Sequence, residues 1–140
     1  MKKTFYILNL TWGLPINIIG GVVSLVLLLA GRKVKRHGGC WFFEIGEGWG
    51  GLELGLVFLV NKKSSLHLRH HELGHAFQNA VWGVFYPLTI GLWSVVRYWY
   101  RKARESKGLK NPPYDSIWFE KQATNLGKKY YKLFWGNNEN

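Results

Sequence analysis

Cysteine is nearly absent from this chain: Cys40 is the one such residue in 140. With no second thiol there is no internal disulfide, and a disulfide-stapled scaffold is excluded. Acidic side chains are also scarce. Eight Asp and Glu face nineteen Lys and Arg, for a formal charge of +11. Such an excess suits an anionic partner: nucleic acid, a membrane surface or an acidic protein. Nucleic acid finds no support, because the chain has no zinc-finger spacing, no RNP-like stretch and no basic heptad region. The length allows one domain with one modest core. Aromatic residues, by contrast, are plentiful at 16%, with eight Trp. Trp and Tyr favour boundaries between apolar and wet surroundings, so anionic membrane lipid is the expected partner surface.

Apolar patterning agrees. From Trp12 to Ala30 the only polar side chains are Asn17 and Ser24. The run approaches the roughly 20 residues that a bilayer-crossing helix needs. A cleavable signal peptide fits less well, since Leu28-Leu29-Ala30-Gly31-Arg32 is a poor small-x-small site. Residues 1–31 are therefore expected to form an N-terminal membrane helix. Arg32, Lys33, Lys35 and Arg36 after it outnumber Lys2 and Lys3 before it, which puts residue 32 on the cytoplasmic side. A second apolar stretch covers residues 76–96, interrupted by Gly83, Pro87 and Gly91, with a bend expected near Tyr86-Pro87. Arg97, Arg101, Lys102, Arg104, Lys107 and Lys110 follow, interleaved with Tyr98, Trp99 and Tyr100 in an interfacial pattern.

Between the apolar runs, Trp41-Phe42-Phe43-Glu44-Ile45 and Leu52 to Val60 read as two strands of a β-hairpin around the Gly-rich segment 46–51. Leu54, Leu56 and Phe58 are candidates for a substrate-pairing edge. His37 and Cys40 flank two glycines and read as a turn rather than half of a metal site.

The chemistry concentrates in His70-His71-Glu72-Leu73-Gly74-His75. Ser64 or Ser65 can cap a helix that starts just before it. On that helix His71 and His75 are one turn apart on one face, where both can bind one zinc ion. Glu72 projects beside them, placed to act as general base toward a metal-activated water. A catalytic zinc needs a third protein ligand. The candidates are His67, Asp115, Glu120 and the hairpin acids Glu44, Glu47 and Glu53. Glu120 is preferred. It lies on a helix expected from about Tyr114 to Gly127, and Ala123 one turn later lets two helices approach. His67 more readily marks the solvent end of the metal helix or a supporting partner.

The pair formed by this His-Glu-x-x-His motif and the downstream Glu120-x-x-Ala123 resembles the gluzincin metallopeptidases over residues 64–127. The resemblance implies zinc on His71, His75 and Glu120, with Glu72 as base. Several members of that group carry an Asp near the ligand Glu to orient a zinc histidine; here Thr124 follows Glu120 by four residues. The metzincin continuation is absent, since Gln78-Asn79-Ala80-Val81 does not fit it. Tyr114 is a candidate for stabilising an oxyanion.

The fold expected is mainly α with a small β-hairpin or sheet (α+β), a membrane-associated zincin-like helical core with two apolar helical segments. Residues 32–140 would form the peptidase domain. If residues 76–96 crossed a bilayer fully, His75 and Glu120 would start on opposite faces and could not share a metal. A re-entrant hairpin about Pro87 removes the conflict, because about ten helical residues a side reach only about 15 Å. The expected function is a small membrane-associated zinc metallopeptidase acting on peptide or protein, in the cytoplasmic membrane of a prokaryote with its site near the cytoplasmic face. Two other readings stand beside it: a non-enzymatic, basic, membrane-anchored metal-binding or adaptor protein, and a zinc hydrolase of a lipid or another non-peptide amide.

Overall fold

The computed structural model describes residues 1–113 and 116–136. Five α-helices surround or extend from a four-stranded sheet: α1 (Lys2–Leu10), α2 (Leu14–Leu29), α3 (Leu66–Trp82), α4 (Leu92–Ser106) and α5 (Trp118–Phe134). The strands are β1 (Val34–His37), β2 (Cys40–Glu44), β3 (Gly51–Leu54) and β4 (Val57–Val60), ordered β1-β2-β4-β3. The α+β expectation holds at this level.

The sheet corrects the hairpin expected from sequence. Leu52 to Val60 is not one strand. It folds on itself at Gly55, whose φ of 83° suits a residue without a Cβ, so β3 and β4 pair antiparallel. β2 then lies parallel to β4. A further strand, β1, pairs with β2 through the Gly38-Gly39 turn, with His37 opposite Cys40. The alternation of this basic strand was masked by its exposure: three of its four residues face solvent.

The membrane helix expected over residues 1–31 is also divided, at residues 11–13, so that the apolar run forms α2 alone. α1 and α2 meet at 86°, and among the described residues no single helix is long and apolar enough to cross a membrane. The asparagines explain the break. Asn9 and Asn79 are buried, and the Asn79 amide donates to Asn9 Oδ1 at 2.7 Å. The Asn17 amide donates to the carbonyls of Asn9 and Gly13, and its Oδ1 accepts from Leu56 N–H at 2.7 Å. Buried amides require partners, and these partners tie the start of the chain to α3 and the sheet.

α3 is the central element. Ser65 caps it, its Oγ accepting from Leu68 N–H at 3.1 Å. Every residue from His71 to Ala80 is buried, as befits a helix enclosed on all sides. α1, β3 and α5 pack around it. Phe5, Phe77, Tyr130 and Phe134 make an aromatic stack at the α1–α3–α5 junction. That stack carries α5 on to Phe134, one and a half turns or more past the end expected near Gly127. After Trp82 a 3-10 turn (Gly83–Phe85) and a π turn (Pro87–Gly91) bend the chain by 113° into α4. Pro87 has no N–H to continue an α-helical ladder, and the bend falls where the sequence placed it.

Candidate metal centre

α3 and α5 cross at backbone contact. A Cβ on Gly74 would overlap the carbonyl of Ala123, and one on Gly127 would overlap the carbonyl of His70. Small residues at this crossing bring Glu120 on α5 within reach of the α3 histidines. The Nε2 atoms of His71 and His75 are 3.1 Å apart. Glu120 Oε2 lies 3.1 Å from the first and 3.3 Å from the second. All three residues are buried, and their ligand atoms form the one cluster of metal-ligating type among the described residues.

The far side of each group is held. His75 Nδ1 is 2.7 Å from Gln78 Oε1, while the Gln78 amide donates to the Phe119 carbonyl at 2.7 Å and to Gln122 Oε1 at 3.0 Å. Because the Gln78 NH2 is engaged by two acceptors, its oxygen faces His75, and His75 Nδ1 is the donor. The Nε2 lone pair of His75 then points at Glu120. Thr124 Oγ1 stands 2.9 Å from His71 Nδ1, the position the sequence had singled out. Ser94 on α4 donates to Glu120 Oε1 at 2.8 Å, whereas Oε2 has no hydrogen-bond partner.

Three electron-rich atoms therefore converge on one point, and the electrostatics call for a positive charge there. Burial alone would push His75 down, but the Glu120 carboxylate overrides it and holds the imidazole up at about 9. Burial would raise Glu120, yet the two adjacent histidines hold it well below the usual carboxylate range. A metal cation meets the same demand, and the orphaned Oε2 with two supported imidazoles fits one.

Glu72 is buried beside the triad, and its side chain rests on β3 at Gly51, where a Cβ would strike the carboxylate. Burial raises the Glu72 carboxyl to about 8; His75 opposes this, and Glu53 and Glu120 add to it. Two cavities meet at Glu72. One of about 230 Å³ is lined by Glu53, Glu72, His75, Tyr86, Val95 and Trp99, among others. The other, of about 360 Å³, touches Gly50, His67, His71, Glu72 and Pro113. Gly51, Glu72 and Tyr98 line both, so the two cavities adjoin at Glu72 and form the cleft beside β3.

Several sequence candidates fall elsewhere. His67 is exposed at the start of α3, in the second cavity and outside the metal cluster. Glu44 pairs with Lys35 at 2.7 Å, and Glu47 is exposed. Tyr114 and Asp115 lie outside the described residues. The sheet edge facing the cleft is β3, so Leu54 alone of Leu54, Leu56 and Phe58 is on it; Phe58 belongs to the inner strand β4, and Leu56 to the turn. Gln78, Ser94, Glu53 and Tyr86 were not assigned these places from sequence. Gln78 had a usable signal, three residues after His75 on the same helix face. Ser94 and Tyr86 had none, because the bend at Pro87 brings them in.

No protein-family model, curated protein or solved structure matches this chain.

Proposed function

We propose that the protein is a membrane-associated zinc metallopeptidase in which His71, His75 and Glu120 hold the metal and Glu72 is the general base. The observation that carries this reading is the triangle of buried donor atoms, 3.1, 3.1 and 3.3 Å on its sides, with Glu72 against it. Tetrahedral zinc with bonds near 2.0–2.1 Å separates its ligand atoms by about 3.3–3.4 Å, and an N,N,O set with an open fourth position is the catalytic pattern. When bound, zinc supplies Lewis acidity: it polarises a carbonyl and lowers the pKa of water.

The chain's own residues do the rest. Gln78 and Thr124 fix the imidazole planes, and Ser94 fixes the Glu120 carboxylate. Glu72 takes a proton from the attacking water and delivers it to the departing amine nitrogen. β3 is an outer strand of the sheet, and its first half, Gly51-Leu52, offers backbone N–H and C=O groups to an extended peptide lying in the cleft. Gly51 on that strand keeps the path beside Glu72 open. The resemblance to gluzincins in the motif supports the same assignment.

The test uses the full chain purified with its metal. Elemental analysis is expected to find one zinc per chain, and incubation with a mixed peptide library should yield cleavage products. E72Q is expected to keep the zinc and lose cleavage by a factor on the order of 10² to 10⁴. Zinc absent from the wild type, or undiminished cleavage by E72Q, overturns the reading.

A further inference from the structure

One wall of the cleft is also part of the outer surface. Val95 and Trp99 line the cavity beside Glu72 and His75, yet Trp99 is 66% exposed and Val95 is exposed as well. They belong to a stripe on one side of the bent 81–99 segment: Val84, Leu88, Leu92, Val95, Val96 and Trp99, all exposed. Leu88 is 70% exposed. Within α4, Leu92, Val95, Val96 and Trp99 share one helix face.

The stripe continues onto the N-terminal segment at the corner where the two bends meet. Trp12 Nε1 donates to the Val81 carbonyl at 3.1 Å, and the Trp12 and Phe85 rings stack edge-on at 5.8 Å. Gly83 leaves space for the Trp12 indole. From that corner α2 turns Gly20 to the sheet and shows Ile18, Val22, Leu25 and Leu29 outward. An exposed apolar surface of this extent marks an interaction site. Cations lie at its ends: Arg32 and Lys33 follow α2, and Lys102 stands three residues after Trp99 on α4, whereas Arg97, Arg101 and Arg104 turn to the carbonyls of Pro113, Pro112 and Lys110. Three of the eight acids, Glu53, Glu72 and Glu120, are buried and do not offset that charge at the surface. Apolar residues flanked by Trp, Tyr and cations suit the interface of an anionic bilayer.

We infer that α2 and the 81–99 stripe seat the protein in one leaflet of an anionic bilayer, and that the cleft is filled from that leaflet, so its substrates are peptides anchored in the membrane. The inference rests on the peptidase reading and names its substrate class. Val95 and Trp99 place the mouth of the cleft at the lipid surface. A tethered chain then reaches Glu72 and β3 without leaving the bilayer, at a raised effective concentration.

The experiment uses the full zinc-loaded chain with vesicles of equal parts phosphatidylcholine and phosphatidylglycerol. Flotation reports seating. Cleavage is compared for one peptide in two forms, free and carrying an N-terminal diacyl anchor. The wild type is expected to float with these vesicles and to cleave the anchored form faster, by on the order of tenfold or more. A triple variant, L88E/L92E/V96E, changes the stripe but no residue lining the cleft. It is expected to keep its zinc and its rate on the free peptide while losing flotation and the preference for the anchored form. A wild type that stays with the soluble fraction as a dimer assigns the stripe to a second copy of this chain and overturns the inference. Equal rates on both peptides overturn it while leaving the peptidase reading intact. Failure to cleave either peptide removes the peptidase reading and this inference with it.

Discussion

The α-carbon of Gly127 stands against the carbonyl oxygen of His70, and no methyl group fits between them. Gly74 meets Ala123 in the same way on the next turn. This double contact sets the distance between α3 and α5, and so the distance from Glu120 to His71 and His75.

Adding a single methyl at either glycine should therefore separate the ligands. The obstruction is backbone on both sides, which cannot step aside as a side chain can. G127A and G74A are each expected to cost about 2 kcal/mol or more of stability and to weaken metal binding. Thermal denaturation and zinc stoichiometry check both effects. A stable, zinc-replete G127A would show that the helix spacing does not set the site.

Gln78 reaches His75 from within α3 and the Phe119 carbonyl on α5. Q78L keeps the volume and removes these two hydrogen bonds and the third, to Gln122 Oε1. Metal affinity should fall by about 10- to 100-fold, the usual cost of losing a ligand's outer partner. Competition against a chromophoric chelator measures it. Q78E is expected to retain more affinity than Q78L, since it still accepts from His75 Nδ1.

Removing the metal should destabilise the fold. The triad then keeps two imidazoles and a carboxylate crowded together at a buried point, with only the proton on His75 to offset the Glu120 charge. At metal concentrations about 1,000 times the dissociation constant, binding to the native state contributes about 4 kcal/mol. Chelation is expected to lower the melting temperature and re-addition of zinc to restore it. A melting temperature indifferent to chelator would mean that no metal is held there.

His37 gives a pH dependence separate from the candidate metal triad. It stacks on Tyr131 at 4.6 Å, and its Nε2 lies 3.1 Å from His70 Nδ1. Burial, with the charges of His70 and Arg69 adding, holds its imidazole down at about 3 against an ordinary 6.5. The folded state thus favours the neutral ring. This contribution is complete above pH 6.5, where both states are neutral, and is lost as pH falls toward 3, because only the unfolded chain takes up the proton. Below pH 6.5 the loss runs at up to about 1.4 kcal/mol per pH unit. Urea midpoints of wild type and H37Q at pH 7.5 and pH 5 should show a smaller drop for the variant. Equal drops would assign the acid sensitivity to other groups.

What the sequence determined by itself was local. The spacing of His71, Glu72 and His75 acts within one turn of helix and could be read from the chain alone, as could a serine cap at 64 or 65, which the structure places at Ser65. Glu120 was reachable because Ala123 and Gly127 repeat at helical spacing on its own face. The bend at Pro87 followed from a missing N–H. What only the tertiary structure decided depends on contacts between distant segments. The parallel pairing of β2 with β4 hangs on a turn at Gly55 inside what reads as one apolar strand. The bend between α1 and α2 is held by Asn9 and Asn17 meeting Asn79 and Leu56 far along the chain. Ser94, Tyr86 and Gly51 reach the site only once α4 and β3 have closed around α3. A periodicity reports which face of an element is apolar; it does not report which other element will cover that face, and the long-range pairings here were settled by burial of polar groups that each needed a specific partner.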